Sequence, residues 1–319
     1  MPQRLRRSVL ACPGSNPRMM EKAAASAADE VFLDLEDATA PLEKPGARAK
    51  VVEALKVHDW GRKTKVVRIN QVTSQYAYRD ILEVVEGAGA IVDCIMVPKV
   101  QNTGDVAFAD RALTQLEQEL GLQPGRIGIE AQIEDAQGLV NVDQIAVASP
   151  RVETIIFGPA DFSASMQLPS LTVAGGSSDY PGDVFHYVLF RLAVAARAAG
   201  IQVIDGPYLA IRDIEGYSSA ARKAAALGYD GKWCLHPDQI APCNEAFTPS
   251  QQQFDRAVQI LDAYKHATEV ERRGAVMLGD EMIDEASRKM ATQFFLRGQA
   301  AGLTATPKVP EPATAAAAS

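Results

Sequence analysis

The chain has 319 residues, of which 47% are hydrophobic and 23% are charged, and its formal net charge is −8. This composition is typical of a globular protein long enough to bury a core without disulfide bonds. The acidic balance argues against a nucleic-acid-binding or anionic-membrane-binding surface. No apolar run approaches the roughly 20 residues of a membrane span, and the N-terminal apolar run VLAC is too short for a signal peptide.

The four cysteines, Cys12, Cys94, Cys234 and Cys243, have neither CxxC nor zinc-finger spacing. We therefore expect free thiols and a reducing, cytoplasmic location.

Short β-rich runs alternate with longer helical patterns along most of the chain. Strict alternation of this kind predicts a parallel sheet, and eight repeats in about 240 residues favour a closed (β/α)8 TIM barrel. The alternative is an open, doubly wound sheet, but the first strand is followed by ACPGSNP and not by a glycine-rich phosphate loop. The predicted strands are 8–14, 30–37, 64–70, 94–100, 126–134, 152–161, 201–208 and 231–237.

The pattern changes after residue 245. A long helix is expected from about residue 248, capped by Thr248 or Ser250, and a short extended piece and a final helix follow. We therefore predict a catalytic barrel over residues 1–245, a helical arm and lid over 246–303, and a disordered Pro/Ala-rich tail over 304–319.

Ionisable or polar side chains stand at the exits of seven predicted strands, while the opposite strand ends show less regular polarity. In TIM barrels the chemistry lies at the C-terminal strand ends. Carboxylates gathered there need counter-charges, and Arg68, Lys99 and a divalent cation are the natural ones. The strand-end residues are Asp34, Glu36, Asp37, Arg68, Asn70, Lys99, Glu130, Gln132, Glu134, Asp161, Asp205 and His236.

Oxygen ligands suit Mg²⁺, with Mn²⁺ as an alternative, and the histidines are not spaced as zinc ligands. Glu134 and Asp161 end consecutive strands and can share one ion.

Each strand-end residue also has a purely structural interpretation. Asp161 could cap the helix that follows it, and Asp205 could be a turn residue. Lys99 and Glu130 could form an ion pair inside the barrel, and His236 could be a satisfied turn histidine. The repeated placement of polar groups carries the functional interpretation, because no single residue does.

Several motifs resemble the malyl-CoA lyase and β-methylmalyl-CoA lyase branch of the citrate lyase β-subunit-like (HpcH/HpaI aldolase) family, in order from about residue 8 to residue 300. They are LDLEDATAPLEK, VRIN, IMVPKV, IEAQIEDAQGLVNVDQIA, FGPADFSASM, IDGPY and GKWCLHPDQIAPCNEAFTPS. The resemblance implies a TIM barrel that cleaves malyl-CoA reversibly to acetyl-CoA and glyoxylate. It likewise implies cleavage of β-methylmalyl-CoA to propionyl-CoA and glyoxylate.

By this resemblance, functional roles fall on residues of this chain. Glu134 and Asp161 become the Mg²⁺ ligands, and Arg68 becomes the essential arginine. Asp284 becomes a catalytic lid aspartate donated by a neighbouring subunit, which implies a homo-oligomer, either a trimer or a hexamer. The substrate and CoA contacts fall on Lys22, Arg68, Ala160, Asp161, Leu235 and His236.

The chain departs from the family pattern at Ala11 and Asn16, where some relatives have Phe and Arg as CoA contacts. The segment LPSLTVAGGSSDYPGDVFHY is also shorter than in some lyases, so acyl-chain preference is expected to differ.

Other functions remain open. A malyl-CoA thioesterase and a citramalyl-CoA lyase are the nearest alternatives. A Schiff-base aldolase using Lys99 or Lys232 and a non-catalytic CoA-binding barrel are more distant ones.

Overall fold

The computed structural model describes residues 4–169 and 181–306. The chain divides into two compact units, Met1–Phe247 and Thr248–Ser319. The segment 168–187 is the one whose short length predicts a different acyl-chain preference. Most of it lies outside the described residues. So does nearly all of the tail predicted to be disordered.

The first unit alternates strands and helices. The strands are β1 (Ser8–Pro13), β2 (Glu30–Asp34), β3 (Thr64–Arg68), β4 (Cys94–Val97), β5 (Gly128–Ile133), β6 (Val152–Phe157), β7 (Gln202–Asp205) and β8 (Gly231–Cys234). The helices are α1 (Pro17–Ala24), α2 (Lys44–Val57), α3 (Ala77–Ala88), α4 (Thr103–Glu119), α5 (Ala136–Val140), α6 (Val142–Ala146), α7 (Pro159–Ser165), α8 (His186–Ala199), α9 (Ile214–Ala226) and α10 (Ile240–Ala246), with a 3₁₀ turn at Pro237–Gln239.

The eight strands form a closed, all-parallel barrel in sequence order. The barrel closes where β1 pairs with β8, with Val9 opposite Trp233. This arrangement confirms the predicted (β/α)8 barrel. The strands are shorter than predicted because the polar residues after each one belong to the loops above the barrel.

Alternate side chains of each strand separate into two apolar layers, as the two-residue period of a strand requires. The outward-facing residues pack against the helices in one continuous core. The inward-facing residues form a smaller cluster in the barrel centre. That cluster is made of Val9, Phe32, Val66, Cys94, Met96, Ile156, Ile204 and Trp233.

The N-terminal end of the barrel is closed by a buried charge cluster around Arg6. Its guanidinium contacts Glu30 at 2.7 Å, Glu130 at 3.0 Å and Glu153 at 2.7 Å, and it donates to Gln202. Burial and mutual repulsion raise the pKa of Glu30, against the opposing charge of Arg6. The expectation that this end of the barrel is less regularly polar is therefore wrong. Charges gather here because one arginine can pair with carboxylates from three strands.

The second unit contains two helices and a small hairpin. Its elements are α11 (Gln251–Glu269), β9 (Val276–Leu278), β10 (Glu281–Ile283) and α12 (Glu285–Ala300). Ser250 caps α11 in a capping box with Gln253, so the sequence signal for this helix start is confirmed. The division of the chain into catalytic barrel, lid and tail remains a prediction.

All four cysteines are buried and free, as expected. Among the helices of the described ranges, none is long and apolar enough to cross a membrane.

Candidate functional site

The C-terminal end of the barrel is organised around Arg68, the last residue of β3. Its Nε and Nη2 atoms donate to the two carboxylate oxygens of Asp34 at 2.8 and 2.6 Å. This two-point contact fixes the plane of the guanidinium. Burial alone would raise the pKa of Asp34, but the charge of Arg68 outweighs burial and holds that pKa below its usual range. Arg68 is therefore a fixed positive charge on a rigid strand.

An aromatic floor lies beneath this arginine. The guanidinium carbon of Arg68 is 5.5 Å from the ring centre of Phe32 and 5.3 Å from that of Trp233. The two rings are themselves in contact, with centroids 4.4 Å apart. The floor separates the charged mouth from the apolar barrel interior, and it favours a cation above the ring faces.

Glu36 links Arg68 to Lys99 across the mouth. One Glu36 oxygen lies 3.2 Å from Nη1 of Arg68, and the other lies 2.5 Å from Nζ of Lys99. Lys99 follows β4 and Glu36 follows β2, so the lysine side chain crosses the intervening β3. The interpretation that Lys99 pairs with Glu130 is wrong, because Glu130 lies at the opposite barrel end with Arg6.

Glu134, which follows β5, is buried and held by two donors. The main-chain N–H of Lys99 donates to Oε1 at 2.7 Å, and the amide of Gln132 donates to Oε2 at 3.0 Å. Gly158 packs directly beneath, since a Cβ atom there would lie 2.4 Å from Cβ of Glu134. Burial raises the pKa of Glu134 well above its usual range, and the nearby charges of Glu36 and Asp161 add to the rise.

Asp161 lies in the first turn of α7, beside Glu134. The residue that caps this helix is Gly158, and Pro159 is its first residue. The interpretation of Asp161 as the helix cap is therefore wrong. Its side chain is half-buried at the barrel mouth, and its charge acts on Glu134.

The donor set at Glu134 and Asp161 fits a hard divalent cation such as Mg²⁺. Carboxylates crowded into a buried site repel one another, and a bound cation offsets that repulsion. Within the part of the chain that the structure describes, no group of three or more acidic, His or Cys side chains forms a metal-binding cluster. Two carboxylates suffice for Mg²⁺, which usually keeps several waters or substrate oxygens as ligands.

Asp205 was expected in the ring of polar groups at the mouth, and the structure places it elsewhere. It shares the outward face of β7 with Val203, which belongs to the outer core. There it accepts from Nζ of Lys232 at 2.6 Å and from the Gly206 N–H at 2.8 Å. A Schiff-base role for Lys232 is disfavoured, because this lysine is buried between barrel and helices and already ion-paired.

Of the four remaining predicted contacts, three lie just after β6 and β8, and the fourth, Lys22, lies in α1. Ala160 is exposed in α7, and Leu235 and His236 follow β8. His236 caps the 3₁₀ turn by accepting from the N–H of Asp238, so the structural interpretation of this residue is confirmed. Lys22 is exposed in the last turn of α1.

Asp284 lies in the second unit, where it caps α12. Its carboxylate accepts from the N–H of Ser287 at 3.0 Å and from the Ser287 hydroxyl at 3.2 Å. These hydrogen bonds hold the pKa of Asp284 below its usual range, so the group is ionised at neutral pH.

Sequence reasoning missed three supporting residues. The sequence puts Asp34 and Gln132 at the mouth but indicates no role for them, and its strand-end pattern does not identify Trp233. The two-residue spacing of Phe32, Asp34 and Glu36 was the available signal for the aromatic floor and the arginine partner. The pairing across strands depends on register, which the sequence does not specify.

Comparisons with known proteins show relatives that match over most of the chain. An L-malyl-CoA/beta-methylmalyl-CoA lyase from Cereibacter sphaeroides is 40% identical over 299 residues, covering 91% of this chain and 93% of the relative. A citrate lyase subunit beta from Haemophilus influenzae is 34% identical, covering 88% of this chain and 92% of the relative.

A solved structure of the protein CitE from Mycobacterium tuberculosis, in complex with magnesium, acetoacetate and coenzyme A, is also similar. It matches with a TM-score of 0.71 and 31% identity, covering 92% of this chain and 97% of that one. The family of HpcH/HpaI aldolases and citrate lyases matches residues 7–237. The chain belongs to the HpcH/HpaI aldolase/citrate lyase family, in agreement with the resemblance seen in its motifs.

Proposed function

We propose that this protein is a Mg²⁺-dependent lyase that cleaves malyl-CoA reversibly to acetyl-CoA and glyoxylate, and β-methylmalyl-CoA to propionyl-CoA and glyoxylate. The observation that carries the proposal is the pairing of a fixed arginine with a buried glutamate and a neighbouring aspartate in one barrel mouth. Relatives named as malyl-CoA lyases match over nearly the whole chain, which supports the same substrate class.

Glu134 and Asp161 are the residues that would hold the Mg²⁺ ion, with Mn²⁺ as an alternative. When bound, the ion polarises the hydroxyl or carbonyl oxygen next to the substrate carboxylate. Lys99 and Gln132 keep the Glu134 carboxylate oriented through their hydrogen bonds, so the ligand does not have to reorganise.

Cleavage breaks the carbon–carbon bond between the hydroxyl-bearing carbon and the CH2 group next to the thioester. The hydroxyl passes its proton to the ionised carboxylate of Asp284, the proposed acid/base group, and becomes the carbonyl of glyoxylate. The bonding electron pair passes to the thioester as an enolate. Arg68 stabilises the negative enolate oxygen, because its guanidinium is held in place by Asp34 and screened little by water.

Protonation of the enolate carbon completes acetyl-CoA. Asp284 is the proposed acid/base group, delivered as a lid by a neighbouring subunit of a trimer or hexamer. In condensation an ionised Asp284 removes a proton from the acetyl methyl group, and by microscopic reversibility it returns that proton in cleavage. A closed lid would limit hydrolysis of the thioester.

The CoA and substrate contacts are proposed at Lys22, Arg68, Ala160, Asp161, Leu235 and His236. The exposed ammonium of Lys22, in the last turn of α1, suits a phosphate group of CoA. The protein is proposed to act in the cytoplasm, as a homo-oligomer.

The proposal is tested by the products of four incubations. Purified protein with Mg²⁺ receives acetyl-CoA or propionyl-CoA together with glyoxylate or pyruvate, and the products are identified by mass spectrometry. We expect malyl-CoA and β-methylmalyl-CoA from the glyoxylate incubations. Products formed only in the pyruvate incubations, and not in those with glyoxylate, would indicate a citramalyl-CoA lyase. Release of free CoA together with malate from malyl-CoA would indicate a thioesterase.

A further inference from the structure

Lys99 has a backbone conformation that lysine rarely adopts. Its φ angle is +52°, in the left-handed region where a side chain crowds its own main chain. Non-glycine residues held in such a conformation concentrate at functional sites, because the surrounding structure must enforce it. Lys99 is at the barrel mouth, directly after β4 and Pro98.

This conformation lets one residue reach two carboxylates. The main-chain N–H donates to Glu134 Oε1 at 2.7 Å, while the side chain extends over β3 to Glu36 at 2.5 Å. The ammonium also lies 3.5 Å from Asp37. Lys99 therefore contacts a proposed metal ligand through its backbone and a different carboxylate through its charge.

Glu36 is a third carboxylate close to the proposed metal ligands. Arg68, which is ion-paired to Glu36, also donates to Oε1 of Gln132 at 3.4 Å. The Gln132 amide in turn donates to Glu134 at 3.0 Å.

The main chain of Glu36 is fixed by Nζ of Lys44, which donates to the Glu36 carbonyl at 2.6 Å. Its Oε2 atom is buried and accepts no hydrogen bond from the described residues, although Nη1 of Arg68 is 3.2 Å away. Glu36 is thus a buried carboxylate whose two oxygens face Lys99 and Arg68, and loss of the Lys99 charge would leave Oε1 able to bind a cation.

A third carboxylate ligand would be unfavourable for the proposed reaction. A Mg²⁺ ion has six coordination positions, and substrate oxygens must occupy some of them. Each additional carboxylate would bind the ion more tightly and would also take a position from the substrate.

Resting on the function proposed above, we propose that Lys99 is a positioning residue that keeps Glu36 out of the metal coordination sphere. Its ammonium neutralises Glu36 and holds it towards Arg68, so that only Glu134 and Asp161 remain as metal ligands. Lys99 also adds a positive charge near the ion, which lowers the affinity of the site for metal.

The test measures Mn²⁺ binding to substrate-free protein, by the electron paramagnetic resonance signal of free Mn²⁺. Lys99→Met removes the charge but keeps the length of the side chain. We expect it to bind Mn²⁺ about fivefold more tightly or better, because an opposing cation is gone and Glu36 is released. Lys99→Arg retains the charge and should stay within about twofold of the unsubstituted protein.

Two further proteins make the interpretation specific. In the double variant Lys99→Met/Glu36→Gln the gain in affinity should disappear, because the additional carboxylate is neutral. Lys65→Met is the matched control, since Lys65 is also ion-paired, to Asp93 at 2.7 Å, but lies at the start of β3. It should leave Mn²⁺ affinity unchanged.

Circular dichroism verifies that each variant is folded, and Lys99→Gln replaces Lys99→Met if the latter is not. Unchanged or weaker Mn²⁺ binding in a folded, uncharged Lys99 variant would overturn the proposal, as would a gain that persists in the double variant. Since no substrate is present, this result is independent of whether the protein cleaves malyl-CoA.

Discussion

Arg68 illustrates how much a single residue depends on its neighbours. The sequence identifies an arginine at a strand end. Its fixed orientation comes from the hydrogen bonds to Asp34 and from the aromatic rings below the guanidinium. A guanidinium held by two hydrogen bonds loses little further conformational freedom when negative charge develops on a substrate oxygen. Pre-organisation of this charge is the main catalytic contribution that we attribute to the barrel.

Replacing Arg68 with Lys should therefore reduce the rate sharply while keeping a positive charge. A lysine ammonium cannot hydrogen-bond to both oxygens of Asp34 and also face the substrate, because it lacks the planar fork of a guanidinium. We expect kcat for malyl-CoA cleavage to fall about 100-fold, equivalent to about 2.7 kcal/mol, with a smaller change in KM. Steady-state kinetics with Mg²⁺ measure this.

A surface arginine provides the matched control for this substitution. Arg191 contacts both oxygens of Asp143 at 2.7 and 2.5 Å on the exposed face of α8. Arg191→Lys should leave kcat unchanged. Equal kinetics in Arg68→Lys and the unsubstituted protein would show that the two-point contact has no catalytic importance.

At the scale of elements, the turn after β6 is shaped by Glu134 beside it. Gly158 caps α7 and packs against Glu134. This contact leaves no room for a side chain at position 158. The sequence shows a Gly-Pro break after an apolar strand, and a turn is the natural expectation. The close approach of two consecutive strand ends explains why the residue before Pro159 has no side chain.

Gly158→Ala should displace Glu134 and weaken metal binding. The added Cβ would lie 2.6 Å from Oε2 of Glu134 and 2.4 Å from its Cβ, so the glutamate must move. We expect Mn²⁺ affinity to fall at least about tenfold while the protein remains folded. Titration with Mn²⁺ followed by paramagnetic resonance measures the change.

Gly46→Ala in α2 is the control, because its added Cβ would meet no described atom within 4 Å apart from its chain neighbours and the backbone of its own helix. It should leave Mn²⁺ binding as it is and should slightly favour the helix. If Gly158→Ala and Gly46→Ala bound Mn²⁺ equally well, Glu134 would not be a ligand whose position matters.

The elements differ in how far the sequence predicts them. The eight strands and the capped start of α11 follow from periodicity and capping residues alone. Lys99 is the expected counter-charge at the barrel mouth, but its partner is Glu36 and not Glu130. Asp205 faces outward, because the facing direction at a strand end depends on where the strand stops. The Arg6 cluster was missed because its glutamates are distant in sequence, and only barrel closure brings them together.

At the scale of the whole molecule, Arg6 joins strands that lie far apart around the barrel. Without Arg6, the buried carboxylates of Glu30 and Glu130 would lose the positive charge that now contacts both of them. We expect Arg6→Met to lower the free energy of unfolding by about 3–5 kcal/mol at pH 7, by analogy with other broken buried ion pairs. Urea denaturation measures this, with exposed Arg62→Met as a near-neutral control.

The loss in Arg6→Met should depend on pH in a defined direction. A glutamate whose pKa is raised in the folded protein binds more protons there than in the unfolded chain. Stability then falls as the pH rises through and above the unfolded pKa of about 4.3. Glu30 and Glu130 both have raised pKa values, and loss of Arg6 raises them further. The variant should be closer to the unsubstituted protein at pH 5 than at pH 8, and the opposite order would contradict this assignment.

The proposed lid in trans predicts complementation between inactive chains. Asp161→Asn removes a proposed metal ligand, and Asp284→Asn removes the proposed acid/base group from the second unit. If neighbouring subunits exchange lids, some sites in co-expressed mixed oligomers combine an intact barrel with an intact lid, and roughly a quarter of the activity returns. Sedimentation analysis would establish the trimer or hexamer, and mixtures as inactive as the separate variants would contradict the lid in trans.

The most direct test of the central claim follows malyl-CoA with the purified protein, in the presence of Mg²⁺ or of a chelator. The Asp161→Asn variant is assayed beside it, and all products are quantified by mass spectrometry. We expect equal amounts of acetyl-CoA and glyoxylate with Mg²⁺, and neither product with chelator or with Asp161→Asn. Malate and free CoA as the products, cleavage that persists in Asp161→Asn, or no turnover of malyl-CoA or β-methylmalyl-CoA would contradict it.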